Sequence, residues 1–241
     1  YHRRIDINLT DVLHGALTSK RLHDGAKAST VNRDEAVLSS MFRVLINAGE
    51  YHGDNPVRAL SALKEKAPEM TYLTSEEITQ LLGATDGDAR RITILCLATG
   101  ARWGEAASLK AEHVLHNRVT FTETKNGKIR TVPISDETVK AIKTKKSGKL
   151  FDIDYGKYRK ILRNVKPDLP KGQSVHVLRH TFAAHFIMNG VNILTPQKIM
   201  GHASIQQTMT YAHLAPDYLQ DAITLNPLDR SIHIPSTHTG F

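Results

Sequence analysis

Residues 6–67 carry a hydrophobic pattern typical of helices. A first helix is predicted near 9–22. In the next predicted helix, apolar residues recur at mixed three- and four-residue spacings and so share one face. This stripe consists of Val31, Leu38, Met41, Phe42, Leu45 and Ile46. Asn55-Pro56 interrupts the pattern, and a short helix is expected over 57–65.

A polar segment containing Pro68, KEKAPEMTY over 64–72, has the composition of an interdomain linker. After it, Thr74 and Glu77 have the spacing of a capping box, with Thr74 as N-cap and Glu77 at N3. Helices are therefore predicted at about 75–84 and 88–99. The second is apolar enough to be buried, Gly100 ends it, and Arg102 begins the next helix.

The clearest β signal is RVTFTETKNGKIRTVPI over 118–134. Two runs rich in β-branched residues flank Asn126-Gly127, the pair preferred in a tight type I′ hairpin turn. Helices near 136–145 and 155–164 are expected next. These patterns together predict a mainly α fold with a small antiparallel β-sheet.

The segment from His176 to Tyr211 combines helical turns with side chains that can act on a phosphate. One helix is expected over 177–188, ending at Asn189-Gly190. Thr195-Pro196 is expected to start a short helix that Gly201 closes. Ser204 and Gln207 have capping-box spacing, which places Tyr211 inside the following helix. A last apolar helix is predicted over 216–225, followed by an irregular tail.

The charge of the chain changes the interpretation of these elements. The formal net charge is +8, and its excess peaks in 140–171, with nine Lys and two Arg against three acidic residues. A basic region of this kind indicates a polyanionic partner, most commonly nucleic acid. A solvated lysine face kept for solubility explains the charge equally well, so charge alone leaves both interpretations open.

Other classes of protein are disfavoured by what the sequence lacks. Cys96 is the single cysteine, so no internal disulfide can form, and this fits a reducing cytosol. No apolar run approaches the roughly 20 residues that span a bilayer, and no secretory leader precedes Tyr1. Because the chain starts abruptly without Met, we expect an N-terminal truncation. No phosphate-binding glycine loop occurs, which argues against ATP-driven chemistry.

The residues of the 176–211 segment have structural interpretations when taken singly. His176, His180 and His185 could be packed or capping histidines, and a tyrosine on an amphipathic helix usually belongs to the core. A zinc site at His176 and His180 is disfavoured, because there is neither the glutamate of a metalloprotease motif nor a cysteine partner.

The combination of motifs is more specific than its members. In chain order these are TGARWGE at 99–105, a lysine on a hairpin turn, HVLRH at 176–180, Gly-His at 201–202, and Tyr211. This ordered set resembles the tyrosine recombinase family, and most closely the integrases of temperate bacteriophages. The resemblance covers almost all of residues 1–225.

The resemblance assigns roles to residues by position. Arg102 and Arg179 match the paired arginines that clamp the scissile phosphate, and Tyr211 matches the nucleophile. Lys125 matches the hairpin lysine that protonates the leaving 5′-oxygen, although Lys128 flanks the same turn. The remaining assignments are to His176 and His202, which assist proton transfer and hold the phosphate, to Glu105, which orients Arg102, and to His180, which is expected to be structural.

The resemblance also implies a fold and a function. A helical core-type DNA-binding domain (1–67) and a catalytic domain (68–225), followed by a C-terminal tail (226–241), would form a clamp around DNA. The enzyme would integrate and excise prophage DNA through a 3′-phosphotyrosine intermediate, without metal, ATP or cofactor.

The implied partners are attachment-site core sequences in double-stranded DNA, three further copies of the chain in a tetramer that exchanges C-terminal segments, and DNA-bending accessory proteins. The implied location is the cytoplasm of the bacterial host. Three alternatives share the chemistry: a chromosome-dimer resolvase, a transposon integrase and a type IB topoisomerase. A non-catalytic DNA-binding regulator is a fourth, disfavoured because every catalytic position is filled.

Overall fold

The structure is a computed structural model that describes residues 9–65, 70–124, 127–170 and 172–216. The chain divides into two compact units, Tyr1–Pro68 and Glu69–Phe241. Among the described residues, no helix combines the length and the apolar character needed to cross a membrane.

The first unit is helical, as predicted. Its elements are α1 (Leu9–Leu13), a π-helical segment (His14–Lys20), α2 (Arg21–His23) and α3 (Ala28–Asn47). Val31 and Phe42 of the predicted stripe are buried, whereas Met41 is 46% exposed. The buried Glu35 carboxylate accepts a hydrogen bond of 3.0 Å from the Thr18 hydroxyl. This bond satisfies a polar group that would otherwise destabilise the unit.

The short helix predicted over 57–65 is wrong. The structure has turns at 56–59 and no regular secondary structure over 61–65. The reason is tertiary: the Asn32 side chain donates to the Leu63 carbonyl at 2.9 Å and accepts from the Leu63 amide at 2.8 Å. These two bonds satisfy the Leu63 backbone from outside and replace the bonds of a helix.

The second unit is mainly helical with a small sheet, which confirms the predicted fold class. Its helices are α4 (Ser75–Ala84), α5 (Gly87–Thr99), α6 (Trp103–Ala107), α7 (Asp136–Ile142), α8 (Tyr155–Val165), α9 (His176–Met188), α10 (Leu194–Met200) and α11 (Gln206–Met209). The capping box of Thr74 and Glu77 is present as predicted. Helix α5 packs against α9 through the fully buried Leu95, Cys96, Val177 and Leu178 in the main core.

The sheet has three antiparallel strands in the order β1 (Val114–Leu115), β2 (Arg118–Phe121) and β3 (Arg130–Pro133). The last β2–β3 pair is Phe121 with Arg130, so the ladder ends before the predicted Asn126-Gly127 turn, of which Asn126 lies outside the described residues. The Thr124 hydroxyl donates to the Lys128 carbonyl at 2.7 Å, and the Gly127 amide donates to the Thr124 carbonyl. The connection therefore forms its own turn beyond the end of the ladder.

The segment carrying the phosphate-active residues follows the prediction only in part. Helix α9 and its end at Asn189-Gly190 are confirmed. Helix α10 begins at Leu194 instead of after Thr195, because the Asn192 side chain accepts a hydrogen bond from the Leu194 amide at 2.9 Å.

Tyr211 does not lie inside a helix, contrary to the prediction. It follows α11 and precedes a 3₁₀ turn, Ala212–Leu214. The Thr210 hydroxyl donates to the Gln207 carbonyl at 2.8 Å, which competes with continuation of the helix. The predicted helix 216–225 and the tail 226–241 lie almost entirely outside the described residues.

Gly100 has little room for a side chain. Its φ is +62°, and an added Cβ would lie 2.5 Å from a ring carbon of Phe182. We expect Gly100→Ala to lower the free energy of unfolding by about 2 kcal/mol or more, from backbone strain and overpacking. Thermal unfolding followed by fluorescence of Trp103, the single tryptophan, measures this change in the second unit.

Gly83→Ala is the matched control. Gly83 lies in α4, and nothing lies within 4 Å of its added Cβ. Alanine should leave stability unchanged or raise it by up to about 1 kcal/mol. A Gly100→Ala protein as stable as the Gly83→Ala protein would contradict the argument.

Candidate active site

Arg102 is held at the first turn of α6 by Glu105. The Arg102 amide donates to one Glu105 oxygen at 3.0 Å, and its guanidinium donates to the other at 2.9 Å. The Glu105 side chain is almost fully buried, whereas that of Arg102 remains 24% exposed. Burial acts to raise the pKa of Glu105, but the Arg102 amide and the Arg130 and Arg102 guanidiniums outweigh it and hold this pKa below its usual range. Glu105 therefore orients an arginine that still reaches solvent.

Arg179 lies one turn into α9 and is buried. Its guanidinium donates to the Gly100 carbonyl at 2.6 Å and to the Met200 carbonyl at 2.9 Å. Gly100 caps α5 and Met200 is the last residue of α10, so both carbonyls lie at the negative ends of helices. Burial, followed by the charges of Arg102 and Arg130, lowers the pKa of Arg179 to about 9. The side chain stays charged at neutral pH.

His202 follows Gly201, which ends α10 in a left-handed conformation. Its Nδ1 atom forms a hydrogen bond of 2.8 Å with the Thr208 hydroxyl. Burial, followed by the charges of Arg179 and Arg102, lowers the pKa of His202 to about 4. The imidazole is therefore neutral near pH 7 and is fixed in orientation by Thr208.

Tyr211 is turned inward. The residue is 3% exposed and packs in a small apolar cluster that includes Phe182, Ile187 and Met200. Its hydroxyl forms a hydrogen bond of 2.7 Å with Nδ1 of His180. Burial raises the pKa of Tyr211 to about 12, and the charge of Arg179 only partly offsets this effect. The phenol is accordingly protonated at neutral pH.

The remaining predicted site residues differ in their exposure and in the cleft that they line. His176 is exposed at the start of α9, where it lines a cleft together with Arg102, Glu105 and Tyr155. Lys125 lies outside the described residues. Lys128 is exposed and lines the main cleft.

A second buried arginine, Arg130, was missed by the sequence analysis. Its guanidinium donates to Glu105 at 2.9 Å and to the Met200 carbonyl at 2.9 Å, and it lies 4.6 Å from the centre of the Phe121 ring. It therefore shares Glu105 with Arg102 and the Met200 carbonyl with Arg179. The sequence offered a weak signal, because Arg130 is a charged residue on the same inward-facing side of β3 as Val132.

Arg102, Arg130 and His202 line one cleft of about 550 Å³. Its lining consists of Arg102, Thr124, Lys128, Ile129, Arg130, Thr131, Lys198, Gly201, His202 and Ala203. Arg102, Arg179 and Arg130 lie close enough to perturb one another and His202 electrostatically, and Arg179 likewise acts on Tyr211. Cations concentrated at one cleft beside a tyrosine suit binding of a phosphodiester and attack on it.

Within 9–65, 70–124, 127–170 and 172–216, no group of three or more His, Cys, Asp or Glu side chains could hold a metal ion.

A mainly helical unit with a small sheet and paired arginines near a tyrosine defines the class of tyrosine recombinases.

Comparison with known proteins identifies the family. Residues 71–217 match the phage integrase family, and residues 5–64 match the phage integrase N-terminal domain. The chain belongs to the phage integrase family of tyrosine recombinases, which confirms the sequence prediction.

Individual relatives agree with this identification. The chain is 53% identical to the integrase of Escherichia phage P2 over 96% of its length, 44% identical to that of Escherichia phage 186 over 86%, and 43% identical to that of Haemophilus phage HP1 over 84%. It spans 69%, 62% and 61% of those three proteins. Its identity to a XerA recombinase of Saccharolobus solfataricus is 34%, over 66% of this chain and 57% of that protein.

Solved structures extend the comparison to the fold. The catalytic domain of bacteriophage HP1 integrase matches with a TM-score of 0.63 and 46% identity, over 67% of this chain and 98% of that one. A λ integrase dimer bound to a core site matches with a TM-score of 0.66, over 84% of this chain and 81% of that one. At 22% identity, the second match concerns the fold alone.

Arg130→Met tests the buried network that holds the cleft together. The substitution removes one of the two cations on the buried Glu105 carboxylate, so the free energy of unfolding should fall by roughly 3 kcal/mol. Urea unfolding followed by Trp103 fluorescence measures this. Arg159→Met is the control, because Arg159 is exposed and lies 5.7 Å from the Tyr155 ring centre. The free energy of unfolding of the Arg159→Met protein should fall by less than about 1 kcal/mol. Equal decreases in the two variants would contradict a stabilising role for the Arg130 network.

Proposed function

We propose that this chain is the strand-cleaving and strand-joining part of a phage integrase that integrates and excises prophage DNA. Tyr211 attacks a DNA phosphorus, a 3′-phosphotyrosine bond forms, and the 5′-oxygen leaves. The observation that carries this proposal is the placement of Arg102 and His202 on one cleft, with the buried Arg179 close enough to act electrostatically on both of them and on Tyr211. The high identity to three phage integrases favours phage integration over other tasks in the family.

The arginines supply what the transition state needs. Phosphoryl transfer concentrates negative charge on the nonbridging oxygens, and guanidinium donors can neutralise it. Arg179 uses two of its five N–H donors on the Gly100 and Met200 carbonyls, so donors remain for a phosphate. Arg102 keeps part of its guanidinium exposed. Loss of one such donor typically slows a reaction by ~10²–10³-fold.

The energetics of rejoining follow from the covalent intermediate. The phosphotyrosine bond retains the energy of the broken phosphodiester, so a 5′-hydroxyl from another strand can reverse the attack without ATP. The leaving oxygen needs a proton, and Lys125 is the proposed donor. Lys128 is the alternative, supported by its place on the cleft. His202, fixed by Thr208, would donate a hydrogen bond to the phosphate, and His176 would assist from the rim.

The proposed substrate is double-stranded DNA at attachment-site core sequences. A related integrase fold is bound to a core site as a dimer, and the 140–171 segment here is strongly basic. Lysine contacts to phosphates would give most of the affinity and make it salt-dependent. Lys166 is an exception, because it pairs with Glu77 at 2.7 Å and Asp168 at 3.5 Å.

The wider assembly is proposed on family grounds. Four copies would act on two DNA sites, with DNA-bending accessory proteins, inside the bacterial host cell. The domains 1–67 and 68–225 would clamp the duplex, and the C-terminal segments would exchange between copies.

Replacement of the proposed nucleophile gives the first test. On DNA nicked near the cleavage site, the wild-type chain should be trapped as a covalent adduct, because the cleaved fragment diffuses away. Tyr211→Phe should abolish the adduct, with DNA binding changed less than about threefold, since only a hydroxyl is lost. Denaturing gels and mass spectrometry of the linked peptide measure this.

Tyr72→Phe is the matched control. Tyr72 packs against the same apolar cluster as Tyr211, so this variant should form adduct at the wild-type rate. Adduct formation by the Tyr211→Phe protein would show that another residue is the nucleophile.

Removal of residues 216–241 tests the proposed exchange. The truncated chain should bind a single DNA site nearly normally but assemble at least about tenfold less well on paired sites, since avidity between copies is lost. Native gels and sedimentation with one-site and two-site DNA separate the two quantities. Equal losses in both would rule out a specific role of this segment in assembly.

A further inference from the structure

His180 was expected to be structural, yet it is the described residue whose side chain bonds the Tyr211 hydroxyl. The Tyr211 oxygen and His180 Nδ1 are 2.7 Å apart, and their rings are 6.0 Å apart between centres. We propose that His180 is a further catalytic residue that accepts the phenolic proton of Tyr211 during attack on DNA. This inference rests on the proposed function, because it presupposes that Tyr211 is the nucleophile.

The position of the other two histidines supports this choice. His202 directs its Nδ1 atom to the Thr208 hydroxyl, at 2.8 Å. His176 lines a separate cleft, together with Arg102 and Trp103. A proton acceptor must reach the proton it removes, within about 2.6–3.2 Å between heavy atoms. His180 meets this criterion without any movement of the chain.

The proton can be followed through the reaction. As the Tyr211 oxygen bonds to phosphorus, its proton passes to Nδ1 of His180, which becomes an imidazolium. The bond from phosphorus to the 5′-oxygen breaks, and that oxygen takes a proton from a separate donor, the hairpin lysine. In the rejoining step the attacking 5′-hydroxyl gives its proton to that lysine, the bond from phosphorus to the Tyr211 oxygen breaks, and the imidazolium returns its proton to Tyr211. No oxidant, metal or further reactant is needed.

The charges around His180 are compatible with this role. His176 and Arg179 lie on the same helix, and His202 and Tyr211 approach from the segment after α10. Burial, followed by His176 and Arg179, lowers the pKa of His180 to about 4, so the ring is neutral and can accept. A scissile phosphate would bring negative charge to this cationic group and favour the imidazolium.

The acidity of Tyr211 changes during the reaction in the required direction. The free phenol has a pKa of about 12, whereas the oxygen of the finished phosphate ester has almost no basicity. The proton must therefore leave as the new bond forms, and a base between these extremes accepts it at an intermediate stage.

The first experiment separates proton acceptance from hydrogen bonding. The Asn side chain places an amide group near the position of Nδ1, so His180→Asn can still bond the Tyr211 hydroxyl but cannot take its proton. We expect cleavage of nicked DNA in a single turnover to slow by ~10²-fold. DNA affinity and melting temperature should stay close to the wild-type values.

His185→Asn is the matched control on the same helix. His185 Nε2 contacts the Leu73 carbonyl at 2.9 Å, away from Tyr211. This variant should cleave at nearly the wild-type rate. Cleavage by the His180→Asn protein as fast as that by the His185→Asn protein would overturn the inference.

The second experiment changes the acidity of the nucleophile. A fluorinated tyrosine at position 211, introduced by nonsense suppression, has a more acidic phenol and depends less on a base. It should restore cleavage by the His180→Asn chain at least ~tenfold, while changing the rate of the chain with His180 intact much less. Equal effects in the two backgrounds would overturn the inference, because His180 would then only position the ring.

The third experiment uses a modified DNA substrate to distinguish the proton transfer from Tyr211 from the proton transfer to the leaving 5′-oxygen. DNA with sulfur in place of the 5′-leaving oxygen needs no protonation of the leaving group. It should rescue variants of the hairpin lysines but leave the His180→Asn defect unchanged, and rescue of His180→Asn would overturn the inference. Absence of any adduct with the wild-type chain would instead be a failure of the proposed function.

Discussion

The buried Arg179 guanidinium is the interaction on which the rest of the site depends. It joins the carbonyl of Gly100 to that of Met200, and so connects the ends of α5 and α10 to α9. Arg102 and His202 each follow one of these carbonyls by two residues. One side chain thus fixes the start of both segments that carry phosphate-binding groups, and its charge is stabilised there by two helix ends.

Two glycines make this arrangement possible. Gly100 and Gly201 have φ values of +62° and +65°, the left-handed conformation that exposes the last carbonyls of a helix. The second glycine also leaves room for Arg130, whose Cδ atom would lie 3.3 Å from an added Cβ. Arg130 shares the Met200 carbonyl with Arg179 and the Glu105 carboxylate with Arg102. The three cations are therefore held by a common set of acceptors despite their mutual repulsion.

Sequence predicted what local rules and ordered motifs determine, and failed where distant residues decide. The Thr74 capping box and the bounds of α9 are local, and both are confirmed. The family motifs predicted Arg102, Arg179 and Tyr211 as site residues, because the order of the motifs along the chain is specific. The helix over 57–65 failed because Asn32 bonds Leu63, and Arg130 was missed because its partners are distant in sequence. The alternation along β3 gave only a weak signal, which is that Arg130 shares the inward face with Val132.

The inward position of Tyr211 has an energetic consequence for the chemistry. With a pKa of about 12, forming a free phenolate at pH 7 would take about 7 kcal/mol. The same apolar cluster protects the phenol from solvent when no phosphate is present. Ionisation before attack would therefore supply roughly half of a typical enzymatic barrier of about 15 kcal/mol. Transfer of the proton to a neighbouring base while the phosphorus–oxygen bond forms avoids this cost, so attack is linked to the arrival of a phosphate whose charge balances the three arginines.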